Sequence, residues 1–310
     1  MKKVDVIIPV YKPTEKLFRL LDMLQSQTVK VSSIILVNTE KQYFDSFVQE
    51  DELKQKYENV QIVHITKAEF DHGKTRNLGA GLVGSPYFVM MTDDAVPADD
   101  YLMEELLKPF EDEQVGMTYA RQLPAEGCGI IESYTRAFNY PAEGAVKSWA
   151  DLEKMGIKTF FASNVCAAYG RESFEELGGF TNRTIFNEDM IYARKLIDSG
   201  RKIVYAADAR VYHSHNYSGI EQLRRNFDLG VSHAEYPATF SGLSTETEGI
   251  RLVKKTCVYL CRIGKPWLII KLVWQSGCKY LGYFFGKRYS SLPARMVKWF
   301  SMNKEYWNNL

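Results

Sequence analysis

Four short stretches of this 310-residue chain combine residue types that could do chemistry together. The first is Tyr87-Phe88-Val89-Met90-Met91-Thr92-Asp93-Asp94, an apolar run ending in two adjacent carboxylates. Burying either acid would cost several kcal/mol, so Asp93 and Asp94 belong where a buried strand emerges. A carboxylate pair at such a strand end suits a hard divalent cation on a phosphorylated ligand. The second stretch, Glu69 to Asn77, places His72, Lys74 and Arg76 around a helix start. Orphan N–H groups and the helix dipole favour an anion there, and Arg adds bidentate recognition of a phosphate or base edge. The third is Asn187-Glu188-Asp189, an expected N-cap with two acids in the first turn. One acid could act as a general base toward a hydroxyl; acids at a helix start also simply complement the dipole. The fourth is His213-Ser214-His215 at a strand end, where residues i and i+2 share a face. Either imidazole could complete a metal's shell, suiting Mn²⁺ better than Mg²⁺.

These groups need elements to hold them. The β-branched run Val4–Tyr11, then Ser33–Thr39, Val60–Ile65 and Tyr87–Asp93, reads as four strands. Helices are expected from Thr14 to about Gln27, over Phe44–Lys56, over Lys74–Val83 and from about Asp100 to Phe110. Alternation at these lengths implies right-handed βαβ units and a parallel sheet. No G-x-G-x-x-G follows the first strand, where Pro9-Val10-Tyr11-Lys12-Pro13 stands instead, which argues against a dinucleotide-binding fold. A strand over Val115–Ala120 precedes a less regular middle third; Ile203–His215 then reads as a strand and Gly219–Gly230 as a helix.

The formal net charge of +1 hides an asymmetry. Ile250–Leu310 carries twelve Lys/Arg and one acid, Glu305, leaving about −10 for residues 1–249. That tail is also rich in Trp, Tyr and Phe, while Lys265, Lys271 and Lys279 interrupt every apolar run long enough to span a bilayer. A basic, aromatic, interrupted segment fits an anionic membrane surface better than plain packing, and either better than nucleic acid. Five scattered cysteines and an N-terminus leading straight into a strand point to a reducing cytosol without a signal peptide.

The order of these stretches resembles family 2 glycosyltransferases of the GT-A fold. The likeness rests on Ile7-Ile8-Pro9-Val10-Tyr11, Arg76-Asn77, the D-x-D-like Thr92-Asp93-Asp94, Gly178-Gly179-Phe180 and Glu188-Asp189. Phe70-Asp71-His72-Gly73-Lys74-Thr75-Arg76-Asn77 is similar to the F-x-H-G-x-T-R-N signature of bacterial rhamnosyltransferases. Arg121-Gln122-Leu123-Pro124, Phe138-Asn139-Tyr140-Pro141, Ser163 to Tyr169 and Lys279-Tyr280-Leu281-Gly282-Tyr283 also look like that subgroup. The resemblance implies an α/β, mostly parallel sheet flanked by helices over residues 1–245, and a helical, basic, aromatic extension over 246–310.

Its implied roles follow position by position. Pro9, Tyr11 and Glu40 would frame the nucleobase, with Glu40 where many relatives have Asp. Arg76, with His72 and Lys74, would meet the base or diphosphate. Asp94 would hold a divalent Mn²⁺ or Mg²⁺, with His213 or His215 as additional ligand, and Asp93 would contact ribose or a metal-bound water. Asp189 would be the general base, supported by Glu188. The implied reaction is inverting transfer of a sugar, best matched by L-rhamnose from dTDP-L-rhamnose, to a hydroxyl of a polyprenyl-diphosphate-linked glycan. It would occur at the inner face of the plasma membrane, and a homodimer is compatible. Gln222-Leu223-Arg224-Arg225-Asn226 lacks the Trp of the processive Q-x-x-R-W motif, favouring addition of one or a few residues. Competing readings are a related transferase using a UDP or GDP donor, a nucleotide-sugar pyrophosphorylase, and a non-catalytic membrane-associated protein. The pyrophosphorylase would need a Gly-rich basic loop after the first strand, which is absent.

Overall fold

The computed structural model describes residues 2–241 and 246–309; the expected boundary at residue 245 lies outside them. The chain divides into two compact units. Met1–Leu123, Tyr140–Arg183 and Glu188–His213 form the first, and Pro124–Asn139, Thr184–Asn187 and Ser214–Leu310 the second. The strands are β1 (Val4–Tyr11), β2 (Val31–Thr39), β3 (Val60–Ile65), β4 (Tyr87–Met91), β5 (Val96–Pro97), β6 (Val115–Leu123), β7 (Ala145–Lys147), β8 (Cys166–Gly170) and β9 (Lys202–Tyr212). The helices of the first half are α1 (Glu15–Gln25), α2 (Lys41–Asp45), α3 (Glu50–Lys56), α4 (His72–Ala80), α5 (Leu102–Leu107), α6 (Ile130–Asn139) and α7 (Leu152–Met155). They are followed by α8 (Arg171–Glu176), α9 (Glu188–Asp198), α10 (Gly219–Glu235), α11 (Pro237–Phe240), α12 (Glu246–Arg262), α13 (Leu268–Gly286) and α14 (Ala294–Phe300).

The first unit is a nine-stranded sheet in the order β3-β2-β1-β4-β8-β6-β9-β5, with β7 paired to β9. The β3-β2-β1-β4 half is parallel, as the alternating strand and helix runs imply. Beyond β4 the sheet is mixed: β8 runs antiparallel to both β4 and β6, and β6 is again parallel to β9. The expected helix over Phe44–Lys56 is two helices, α2 and α3.

One feature of β1 opens the sheet where chemistry can occur. Its pairing with β4 ends at Ile7↔Met90, whereas pairing with β2 continues to Tyr11↔Thr39. Pro9, which has no N–H to give, falls just past that divergence. Further back, Asp5 is a buried acid inside the strand. Gly84 N–H (2.8 Å), Ser85 N–H (2.9 Å) and Ser85 Oγ (2.9 Å) satisfy its carboxylate and tie β1 to the turn before β4.

In the second unit, α10 and α13 approach at Gly282 and Gly286. A Cβ at these positions would lie 2.1 Å from the carbonyl oxygens of Leu223 and Phe227 respectively, so only glycine fits there. Phe227, Val231, Val297 and Phe300 form the core, with Phe285, Tyr289 and Trp307 packed on it. Buried Asp228 on α10 accepts from Ser301 Oγ (2.7 Å), Met302 N–H (2.9 Å) and Asn303 N–H (3.1 Å), pinning the chain after α14. Part of the aromatic tail is therefore ordinary core.

Candidate active site

At the parting of β1 and β4, the Tyr11 N–H turns to the Asp93 carboxyl. Burial first, then the neighbouring Asp94 charge, pushes Asp93 up to about 7, against the Tyr11 N–H and the Lys16 charge. The ring of Tyr11 is 40% exposed and meets Tyr43 edge-on at 5.7 Å. Lys12 Nζ lies 5.3 Å and 4.6 Å from the two ring centroids. At the end of β2, Glu40 adopts φ 66°, a left-handed conformation rare for a side chain of its size. Its carboxylate accepts the Lys67 N–H at 2.6 Å. An exposed aromatic, two cations and an acid thus surround the ends of β1, β2 and β4, where α/β sheets bind nucleotides.

The Glu69–Asn77 stretch works differently from the anion site its sequence implies. The Asp71 side chain caps α4 itself, accepting from Gly73 N–H (3.0 Å) and Lys74 N–H (2.9 Å), so those donors are taken. Arg76 is buried on the inner side of α4. It donates through Nη1 to the His72 carbonyl (2.9 Å), while Nε lies 3.3 Å from Glu188 Oε1. Asn77 clamps the Gly178–Asn182 turn, receiving Phe180 N–H (2.9 Å) and donating to Phe180 O (2.8 Å) and Asn182 Oδ1 (3.0 Å). Helix α4 therefore positions the start of α9. Gly73 allows this approach, because a Cβ there would lie 1.8 Å from the Thr181 carbonyl oxygen. Gly73→Ala is expected to cost about 1–3 kcal/mol or more, read as a lowered urea midpoint.

The two acids at the start of α9 are driven apart. Burial alone would raise Glu188, but Arg76 first, then His72 and the Asn164 Nδ2 donor (3.0 Å), hold it below the usual carboxylate range. Burial foremost and the Glu188 charge push Asp189 up to about 7, despite N–H bonds from Asn164 (3.1 Å) and Met190 (2.7 Å). One carboxylate is thereby locked ionised, and its neighbour is poised to exchange a proton near neutrality. Asn187, expected to cap α9, instead has φ 64° and donates its amide to Ser232 Oγ at 3.3 Å.

The third cluster gathers on β5, β6 and β9. Val96 on β5 pairs with Tyr212, so the next residue along β9, His213, comes level with Ala95. His213 Nε2 lies 3.5 Å from Asp94 Oδ1. Gln122 Nε2 donates to Tyr140 Oη (2.7 Å) and Ser163 Oγ (3.0 Å), which leaves Oε1 to accept from His213 Nδ1 at 3.0 Å. That arrangement puts the His213 proton on Nδ1 and turns the Nε2 lone pair toward Asp94, as ligating histidines are held by an outer partner. The Asp94–His213 pair therefore fits a divalent cation.

Residues 163–165 join the clusters. Ser163 meets Gln122, Asn164 meets both α9 acids, and the Val165 carbonyl accepts Thr92 N–H at 3.1 Å, next to Asp93. Gln122, Ser163 and Asn164 carried no role in the sequence beyond lying in motifs, and Lys12, Lys16 and Tyr43 carried no signal. Lys74 is exposed, and its charge adds to the Thr66 hydrogen bonds that hold the Glu69 carboxyl below its ordinary value. His72 packs edge-on against Phe70 at 5.2 Å. His215 belongs to the second unit and stacks on Tyr217.

Residues 2–227 match the family described as "Glycosyltransferase like family 2". The chain belongs to that family. It is 38% identical over 312 residues to the O-antigen chain rhamnosyltransferase RfbN of Salmonella typhimurium, covering 99% of this chain and 97% of the relative. It is likewise 38% identical over 317 residues to the O-antigen chain rhamnosyltransferase WbaN of Salmonella anatum, covering 100% and 97%. Among solved structures, the mannosyltransferase PcManGT from Pyrobaculum calidifontis, in complex with GDP-Man and Mn²⁺, aligns with TM-score 0.58 at 15% identity, over 98% of this chain and 84% of that one. The S. aureus TarS fragment 1-349 with UDP-GlcNAc aligns with TM-score 0.53 at 13% identity, over 94% and 92%. These neighbours share the GT-A fold, and this family 2 glycosyltransferase is of the rhamnosyltransferase-like kind.

Proposed function

We propose that this glycosyltransferase moves L-rhamnose from dTDP-L-rhamnose to a hydroxyl of an O-antigen-type, polyprenyl-diphosphate-linked glycan, with inversion and with a divalent metal. The observation that carries the chemistry is the split carboxylate pair, Glu188 ionised against Arg76 and Asp189 raised to about 7. The choice of sugar and acceptor is supported by the 38% identity to two O-antigen chain rhamnosyltransferases.

In this reading Tyr11 and Tyr43 flank the base, Glu40 and Pro9 close its edge, and Asp93 takes the ribose. Asp94 and His213 would hold Mn²⁺ or Mg²⁺, which would neutralise the departing nucleoside diphosphate. Asp189 accepts the proton of the attacking hydroxyl. The hydroxyl oxygen bonds to the anomeric carbon as the bond from that carbon to the diphosphate oxygen breaks, and dTDP leaves with the electron pair. Arg76 acts through Glu188, keeping the acid pair in place. Incubating the protein with dTDP-L-rhamnose, Mn²⁺ and a lipid-linked acceptor tests the whole. The expected product is a rhamnoside whose anomeric configuration is opposite to the donor's. No transfer from dTDP-L-rhamnose but turnover of a UDP- or GDP-sugar would replace the donor assignment, an alternative motivated by the nucleotides of the two structural neighbours.

The reading extends to the membrane surface. No helix among the described residues is long and apolar enough to cross a bilayer. On α13, however, Ile270 (78%), Val273, Trp274 (67%), Tyr280, Leu281 and Phe284 are all exposed. Their spacing puts them on one stripe, free of charge between Ile270 and Phe284. Basic residues Lys265, Lys287 and Arg288 bracket it, the composition of a helix lying on an anionic surface. Ile270→Glu combined with Trp274→Glu is expected to abolish co-sedimentation with anionic vesicles. Undiminished sedimentation would remove α13 as the contact.

A further inference from the structure

The second unit contains a cavity of about 300 Å³ that the catalytic reading does not use. It is walled by the start of α6, residues 215–217, and the face of α13 carrying Lys271, Gln275 and Lys279. Two of its walls are braced by their own hydrogen bonds. Gln275 Nε2 holds the Tyr217 carbonyl at 3.0 Å, and the Asn216 amide holds Gly127 O (2.9 Å) and Gly129 N–H (2.8 Å).

The charges lining this cavity do not balance. Its acid, Glu132, is already engaged by Arg136 Nε at 2.7 Å. Lys279 is half-buried and makes no hydrogen bond or ion pair with any described residue. Desolvation depresses its pKa, with the Arg225 and Arg136 charges adding to that and Glu132 opposing it. Lys271 adds a second ammonium, and Gln222 an amide. An unpaired, partly desolvated cation is unfavourable by itself, and an anion entering the cavity would remove that penalty. Ile130, Ile131 and Leu268 give the same cavity an apolar side, so it suits an anion attached to a less polar body.

We infer that this cavity binds the diphosphate of the lipid-linked acceptor, with Lys279 and Lys271 as its cationic partners. The inference rests on the acceptor proposed above, but its binding test does not. Inorganic diphosphate would be titrated calorimetrically into the full-length protein with EDTA present and donor absent, so that the metal site contributes nothing. The wild type is expected to bind, and Lys279→Gln and Lys271→Gln each to weaken binding at least about tenfold, in line with loss of one charge-assisted contact. In transfer assays, Lys279→Gln is expected to raise the acceptor KM by a similar factor. A wild type that binds no diphosphate, or variants that bind it equally well, would overturn the site. Diphosphate binding that depends on Lys279 while the acceptor KM stays unmoved would overturn the acceptor assignment. So would an equal loss on a glycan acceptor lacking the diphosphate. If no acceptor is turned over at all, the functional proposal fails, while the calorimetric result still decides the cavity.

Discussion

Asp189→Asn is expected to lower transfer by about 10²- to 10⁴-fold, the range that a positioned general base contributes. On the proposed reading the substitution removes the proton acceptor and little else. Asp189 receives N–H bonds from Asn164 and Met190, and an asparagine carbonyl oxygen can still accept one of them. Donor binding, monitored by calorimetry with Mn²⁺, should therefore persist; an Asp189→Asn protein with near-native transfer would eliminate this residue as the base. Glu188→Gln makes a contrasting control. It leaves the buried Arg76 charge uncompensated and is expected to destabilise the fold by about 3–5 kcal/mol, an effect seen in unfolding as well as in rate.

The pH dependence follows from the same split. Asp189 accepts a proton only when ionised, and its pKa is raised to about 7. In the donor-free enzyme kcat/KM should fall about tenfold per pH unit below about 7 and level off above it. The sign for stability is opposite. The folded state holds this proton over the window from the ordinary aspartate value of 3.8 to about 7. The carboxyl therefore supports folding most at low pH, and that support is lost as pH rises through about 7. Asp93, also raised to about 7, acts in the same direction.

The elements that could be read from sequence are those whose periodicity is their own. β1 and β3 lie where their β-branched runs placed them, and β2 and β4 differ only at their ends. β8 was not legible, because Cys166-Ala167-Ala168-Tyr169-Gly170 shows neither alternation nor a β-branched run; its strand form comes from pairing with β4 and β6 on both sides. The site divides along the same line. Asp93 and Asp94 are legible because charge ending an apolar run calls for a place to emerge, and the α9 acids because two carboxylates share one helix start. Arg76 is legible as important but not in direction: beside His72 and Lys74 at a helix start it reads as part of an anion site. Only the fold places Glu188 beside it. Asn164 and Gln122 are uncharged and lie in irregular or strand positions, so nothing local marks them as the residues that connect the acid pair to His213.

Asp94→Ala should have the other large effect, and on a different step. The His213 imidazole is held by Gln122 with its Nε2 turned to Asp94, 3.5 Å away. A cation placed between them would gain one formal negative charge from Asp94 and a neutral donor from His213, so in the proposed reaction Asp94 would anchor the cation that offsets the trianionic nucleoside diphosphate as it departs. Without it, donor binding should lose its dependence on Mn²⁺, and transfer should drop by on the order of 10²-fold or more. Titrating dTDP-L-rhamnose into wild type and Asp94→Ala, each with Mn²⁺ and with EDTA, separates the contributions. The wild type should bind more tightly with Mn²⁺, and the variant should bind equally weakly in both. Gln122→Ala grades the same argument. It leaves both candidate ligands in place but frees the His213 ring, and outer partners of ligating histidines are worth about 10- to 100-fold in metal affinity. An Asp94→Ala protein with an unchanged Mn²⁺-dependent titration would move the cation away from the end of β4. The carboxylate pair would then be left with the ribose contact proposed for Asp93 alone.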